Sequence, residues 1–368
     1  MTTSQQTMGS ALVVDPMVVD PCNDPGWAEL ASAQGSLFHS AAWLRVLRDG
    51  YRLTPRAVMT DGGGFAWVEV DDVRGRRLVS LPFTDFAGAI GLMGPEGPSA
   101  ALSAPLPGDP LVAVRVLVAD RFGHGADLDR YRTGLGLEEV DRLAWHWADL
   151  VPGGSGDDPL WSDLASGARQ NVRRSRRSGV RLEVRSDLDA LAEYRRLHVG
   201  LRKTKYRLLA QPWSFFAAIH RHFAPDRLRV VLAYVDDRPE LGSVAGVVLL
   251  RHGDWGYYKL NASTEHGWSV RANDAVMWEA MVQARRWGCR WFDFGVSDLD
   301  QPGLIRYKNK YATGRGEVVV LRRGGGVKSW SARQVDRALP VLTRVLTAPR
   351  CPDAVGAQAS RVLYRLFC

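Results

Sequence analysis

Three short segments in the second half of the chain carry residue types that could do chemistry. Asp293 stands between aromatics in Trp291-Phe-Asp-Phe-Gly-Val-Ser297. A carboxylate there could orient an amine or take its proton, and it could equally cap the next turn. Lys308 follows Tyr307 in Gly303-Leu-Ile-Arg-Tyr-Lys308 and is one of only six lysines among 48 basic residues. A fixed ammonium could stabilise an anionic oxygen or bind phosphate; a plain surface lysine is the alternative. In Tyr257-Tyr-Lys-Leu-Asn-Ala-Ser263, strand periodicity puts Tyr257, Lys259 and Asn261 on one face and Tyr258, Leu260 and Ala262 on the other. One face then lines a groove or simply meets water.

Two acid-free basic clusters accompany these segments. Six arginines, Arg173 and Arg174 among them, fall between Arg169 and Arg181. The second cluster contains Arg202, Lys203, Lys205 and Arg207, flanked by Tyr194 and Tyr206. Either could be a solvated helix face, but together they favour an anionic ligand, in line with a net charge of +8. Neither a duplex-reading motif nor a recognisable RNA-binding module is present.

The remaining signals narrow the class. Composition is that of a folded protein, with 46% hydrophobic and 24% charged residues. No Lys or Arg precedes Arg45, and no run of apolar residues is long enough to span a bilayer. Cys22, Cys289, Cys351 and Cys368 are far apart, and the histidines lack ligand spacing. A cytoplasmic protein with no structural metal is expected. Cys289 is read as an inert buried thiol.

The elements that must position these groups follow from periodicity. Helices are expected over Ala41–Leu47, Leu111–Arg121, from about Ala168, and from a cap at Asn273 to Trp287. Strands are expected at Pro55–Met59, Phe65–Val70, Arg77–Leu81, Val140–Leu150, Arg229–Val235, Ser243–Leu250, Trp255–Asn261, Trp291–Phe294 and Glu317–Leu321. Such alternation indicates an α/β or α+β protein with central mixed sheets. The expected organisation is a flexible leader over 1–24, domains over 25–158 and 159–326, and a basic helical tail over 327–368. That tail could pack on the body or make peripheral contact with an anionic membrane.

The sequence resembles the FemAB family of peptidoglycan interpeptide-bridge aminoacyltransferases, within the acetyltransferase-like (GNAT) superfamily. The resemblance rests on Asn171-Val-Arg-Arg174, the Tyr194–Arg207 segment, Tyr258-Lys-Leu-Asn-Ala-Ser263, Asn273 with Trp278-Glu-Ala280, Phe292-Asp-Phe-Gly295 and Tyr307-Lys308. Phe38-His-Ser-Ala-Ala-Trp43 and Leu81-Pro-Phe-Thr-Asp85 add to it. It implies tandem GNAT-like domains and transfer of an amino acid from aminoacyl-tRNA to an amine of a cell-wall precursor. The chain departs from the family pattern at Ala272-Asn273 and at Val296, where the family often has Pro-Asn and Arg.

On this reading Lys308 stabilises charge or contacts phosphate, and Asp293 handles a proton, with Tyr258 beside them. Lys259, Asn261, Asn273 and Tyr307 line the groove, and Arg173, Arg174, Arg202 and Arg207 bind phosphates of donor or acceptor. No cofactor is resident; aminoacyl-tRNA is the favoured co-substrate. Acyl-CoA is the alternative donor, although Glu265-His-Gly-Trp-Ser-Val-Arg-Ala272 lacks the usual pyrophosphate-loop spacing. A non-catalytic protein that binds RNA or an anionic precursor is a third expectation.

Overall fold

A computed structural model describes residues 17–60, 63–91, 111–118, 128–150, 159–324 and 330–368. Among these described residues the centre is one continuous mixed sheet of thirteen strands. The strands are β1 (Met17–Val19), β2 (Pro55–Thr60), β3 (Gly63–Asp72), β4 (Gly75–Val79), β5 (Ile90–Gly91), β6 (Leu111–Leu117) and β7 (Glu138–Asp149). They continue as β8 (Val180–Arg185), β9 (Leu228–Val235), β10 (Ala245–His252), β11 (Trp255–Ser263), β12 (Trp291–Asp298) and β13 (Gly314–Arg323). The spatial order is β1-β2-β3-β4-β6-β13-β7-β12-β11-β10-β9-β8, with β5 beside β3.

Two pairs are parallel, β4 with β6 and β11 with β12, one in each half of the sheet. Each pairs over only three residues per strand. The other neighbours are antiparallel. The strand β13 returns from the second half to lie between β6 and β7, so the sheet runs unbroken through the middle.

The helices are α1 (Pro25–Gln34), α2 (Ala41–Tyr51), α3 (Leu128–Leu135), α4 (Pro159–Asp163), α5 (Ser166–Arg177) and α6 (Leu188–Leu201). After these come α7 (Trp213–Phe223), α8 (Glu265–Ser269), α9 (Ala272–Arg286), α10 (Pro302–Lys308), α11 (Trp330–Leu346) and α12 (Asp353–Leu363). One face of the sheet buries Trp27, Phe38, Trp43, Tyr194 and Phe216 under α1, α2, α6 and α7. The fully buried Phe38 and Trp43 contribute roughly 3 kcal/mol each by area. The opposite face buries Val276, Met277, Ala280, Met281 and Ala284 of α9, the stripe expected from helical spacing.

Three local expectations are corrected. The segment from Leu111 is strand β6, not a helix: Val112, Val114 and Val116 are buried while Arg115 is exposed, a period of two. Its β-branched residues also satisfy spacings of four, which hid the shorter period. The helix α9 starts after Arg271, which has a left-handed φ of 62° and makes no side-chain cap. Asn273 therefore lies inside its first turn rather than capping it. In the segment read as a flexible leader, residues 17–24 form β1 and a turn, with Val19 and Cys22 buried.

The tail forms α11 and α12, and it packs on the body. Tyr364 stacks on Tyr51 at 5.5 Å and lies 5.3 Å from Phe83. Asp336 pairs with Arg74 at 3.0 Å, and Asp353 with Lys203 at 2.7 Å. The proposed boundary at 151–158 and the Gly94–Pro110 segment lie outside the described residues.

Candidate active site

The strands β11 and β12 pair only from Trp255↔Trp291 to Tyr257↔Asp293. Beyond Asp293, β12 follows β7 while β11 follows β10, so a cleft opens between them. Asp293 stands where they part. Across β7, Asp293 faces Trp147 and Val296 faces Trp145, which leaves two residues, Phe294 and Gly295, opposite one. This is a β-bulge. Gly295 sits at φ +68°, and a Cβ there would meet Asp85 Oδ2 at 3.2 Å, so both backbone and space call for glycine.

The bulge turns its peptide groups toward charges. Asp293 Oδ1 accepts from Gly295 N–H at 2.5 Å and from the indole N–H of Trp145 at 3.0 Å. Its Oδ2 is buried with no hydrogen-bond partner among the described residues. Lys308, only 4% exposed at the end of α10, donates to the carbonyls of Gly295 (2.9 Å) and Val296 (2.8 Å). An ammonium has three donors, so one remains for a ligand.

Electrostatics sets these two groups near neutrality. Burial, reinforced by Asp85, pushes the Asp293 carboxyl up to about 7 against its hydrogen bonds and Lys308. Burial lowers Lys308 to about 8, opposed by Asp85, Asp293 and Asp298. His146, fully buried beside them, is held down at about 4 by burial and then by Lys308 and Arg315. It is a neutral wall of the site rather than a base.

Asp85 and Lys259 complete the charged group. Lys259 Nζ lies 3.6 Å from Asp85 Oδ1 and over the rings of Phe38 (4.7 Å) and Trp43 (4.9 Å). Asp85 hangs on a taut loop in which Leu81 (φ 48°) and Phe83 (φ 62°) adopt left-handed conformations. Each costs roughly 1 kcal/mol or more. Arg115 braces the loop through the Thr84 carbonyl at 2.9 Å. Nothing in the sequence around Asp85 points to a role for it. It is one acid in an apolar segment, more than two hundred residues from Asp293, and only the fold brings them together.

The other expected site residues divide. The register of β10 with β11 slips at Lys259, so the side-chain alternation changes phase there. Tyr257 and Leu260 then face the first core, while Tyr258 packs toward the second, 6.4 Å from Phe292. Asn261, expected beside Lys259, instead donates to Asn273 Oδ1 (2.8 Å) and to the Gly246 carbonyl (3.1 Å). The Tyr307 hydroxyl donates to the Asn273 carbonyl at 3.2 Å. Tyr311 and Asn171 both donate to Asp274 Oδ1, at 2.6 and 3.1 Å. Tyr258, Asn261, Asn273 and Tyr307 thus belong to the opposite side of the sheet from Asp293, in a network that fixes α5, α9 and α10.

The arginines also separate. Arg173 lies over Trp161 at 5.5 Å, and Arg174 reaches the Ser269 carbonyl at 3.4 Å, at the rim between β11 and α9. Arg271, at the start of α9, has a buried Nε without a partner among the described residues. Arg202 donates to the Leu209 carbonyl at 2.7 Å, and Arg207 to Thr347 at 3.1 Å, beneath the tail. Between β11 and α9, the N–H groups of Gly267, Trp268, Val270 and Arg271 all bond within the segment. Burial pushes Cys289 up to about 12, the state of an unreactive thiol. Among the described residues no metal-ligand cluster occurs, and no helix is long and apolar enough to cross a membrane.

Residues 166–309 match the acetyltransferase (GNAT) domain. No curated protein matches the sequence. Among solved structures, FemX superposes with a TM-score of 0.58 at 15% identity, covering 83% of this chain and 97% of that one. The C-terminal domain of a putative lysylphosphatidylglycerol synthetase from Agrobacterium fabrum gives 0.52 at 14% identity, covering 87% and 95%. A tandem GNAT protein from the clavulanic acid biosynthesis pathway gives 0.51 at 12% identity, covering 85% and 98%. Over residues 166–309 the chain is similar to the GNAT acetyltransferase domain, and over most of its length it has the fold of FemX and of that tandem GNAT protein.

Proposed function

We propose that the protein transfers an aminoacyl group from aminoacyl-tRNA to the amine of a phosphorylated or cell-wall precursor, forming an amide. The observation that carries acyl transfer is the buried Asp293–Lys308 pair, held by one bulge at the mouth of a cleft. Between the two titrations Asp293 is a carboxylate and Lys308 an ammonium. The amine attacks the ester carbonyl, and Asp293 Oδ2 takes the amine proton. The remaining N–H of Lys308 donates to the carbonyl oxygen as it gains charge. The C–O bond to the ribose then breaks, and the leaving oxygen takes the proton that Asp293 removed from the amine, which restores the carboxylate.

Two features bear on the donor. Arg271 Nε, without a partner among the described residues, and nearby Arg174 suit a phosphate-bearing donor. The amides of Gly267, Trp268, Val270 and Arg271 are bonded internally and so are not offered to a pyrophosphate, which favours tRNA over acyl-CoA. The likeness to FemX and to a lysylphosphatidylglycerol synthetase domain supports aminoacyl transfer as a frame. The test supplies the protein with a charged tRNA pool or acyl-CoA, plus mixed amine acceptors, and follows amide formation by mass spectrometry. Amide from charged tRNA without thiol release is expected. Thiol release with matching amide replaces the donor, and no amide from either removes acyl transfer.

A further inference from the structure

The helix α11 is mounted with its apolar side outward. It docks through Ala332, Leu339, Thr343 and Thr347, which are buried, and through the Asp336–Arg74 pair. Val341, Leu342 and Val345 are 58%, 41% and 60% exposed. At 100° per residue these three form a stripe opposite the docking face, beside a second stripe carrying Arg337 and Arg344. A helix whose outer face only met water would keep polar groups there.

The charge of the tail is sorted in the same way. Residues 328–368 contain seven basic and two acidic side chains. Both acids, Asp336 and Asp353, are used in ion pairs with the body. Arg337, Arg344, Arg350, Arg361 and Arg365 remain exposed. Seven of the nineteen exposed large apolar side chains among the described residues lie on this tail, including Trp330 at 70% and Val362 at 71%. At the inner edge of α11 lies an open cavity of about 830 Å³. Arg207 and Arg344 face it together with Leu208, Leu339 and Phe367, while Arg74, also on its wall, is paired there with Asp336. That lining pairs cationic and apolar groups as an anionic amphiphile would require.

We infer that α11, with the cavity along its inner edge, is a docking face for a bilayer carrying anionic phospholipid. The valine–leucine stripe enters the interface, and the arginines meet lipid phosphates. A protein partner would satisfy the apolar stripe, but the one-sided positive charge around it selects an anionic surface. This inference stands independently of the acyl-transfer reading.

Flotation of the full chain with vesicles tests it. Binding to phosphatidylcholine vesicles containing phosphatidylglycerol is expected, weak binding to phosphatidylcholine alone, and loss with added salt. Arg337→Gln/Arg344→Gln should lower partitioning roughly tenfold or more and reduce the salt dependence. Val341→Ser/Val345→Ser should lower partitioning but leave that dependence in place. Circular dichroism checks that both variants keep the fold. Absence of binding to phosphatidylglycerol vesicles at low salt overturns the inference, as does unchanged binding in both variants. A concentration-dependent dimer in sedimentation velocity that Val341→Ser/Val345→Ser abolishes also overturns it, since a second copy would then cover the stripe.

Discussion

Asp293 and Lys308 are tied to opposite ends of the same residue. The N–H of Gly295 binds the Asp293 carboxylate, and its carbonyl binds the Lys308 ammonium. The acid and the cation are therefore positioned by a backbone distortion, not by direct pairing. Gly295→Ala should disturb both, because it places a Cβ against Asp85 and strains a left-handed backbone. The expected cost is about 1 kcal/mol or more in denaturant unfolding, with a larger fractional loss of turnover. Wild-type turnover in this variant would mean that the bulge does not set the chemistry.

The pH profile should be narrow. On the acyl-transfer reading, kcat/KM rises as Asp293 ionises near 7 and falls as Lys308 deprotonates near 8. The limbs belong to the coupled pair. Asp293→Asn should remove the acid limb together with most of the activity. A flat profile between pH 6 and 9 would deny both groups their roles.

Stability carries the opposite signature. The folded-state value of Asp293 lies above its ordinary 3.8, so the folded protein holds a proton that the unfolded chain releases. This contribution to stability is lost as pH rises from about 4 to about 7. Lys308 lies below its ordinary 10.5, so its contribution is recovered as pH rises from about 8 to that value. Asp293→Asn should therefore gain stability relative to wild type at pH 7.5 compared with pH 4.5. Thermal melts of both proteins at the two pH values measure it, and an equal difference at both contradicts the burial of that charge.

The tail should influence the Asp85 loop. Tyr364 packs on Phe83, two residues from Asp85, and on Tyr51. Tyr364→Ala should destabilise by about 2–4 kcal/mol, while Tyr364→Phe should be nearly silent. Because its loop holds Asp85, the alanine variant should also lose turnover under conditions where it is fully folded. Retained turnover there would confine Tyr364 to packing.

The exposed arginines separate ligand binding from structure. Arg173→Gln with Arg174→Gln should weaken binding of charged tRNA and flatten its salt dependence without unfolding the chain. Asn171→Ala, two residues away, should instead lower stability by about 1 kcal/mol or more, because it removes a donor to buried Asp274. Salt titrations of affinity and urea melts distinguish the two outcomes.

The strands and helices of the second half were largely legible because their apolar patterns are long and their ends are marked. Val276, Met277, Ala280, Met281 and Ala284 identified the buried face of α9 directly. The site was legible only in part. Asp293 and Lys308 stood out by their neighbours and by the scarcity of lysine. A bulge at Lys259 has no local signature, so alternation misassigned Asn261. Asp85 was hidden because the charge that matters to it comes from β11 and β12, far along the chain. Tyr258 and Tyr307 share the short motifs of Lys259 and Lys308, yet packing divides each pair between opposite sides of the sheet.

Turnover of Lys308→Ala with charged tRNA at saturating amine acceptor tests the role of the Asp293–Lys308 pair most directly. Lys308→Ala should keep the wild-type circular dichroism and lose roughly 10²-fold or more in the rate of amide formation, with Lys308→Arg recovering only part. A folded Lys308→Ala protein that forms amide at the wild-type rate would contradict acyl transfer at this cleft.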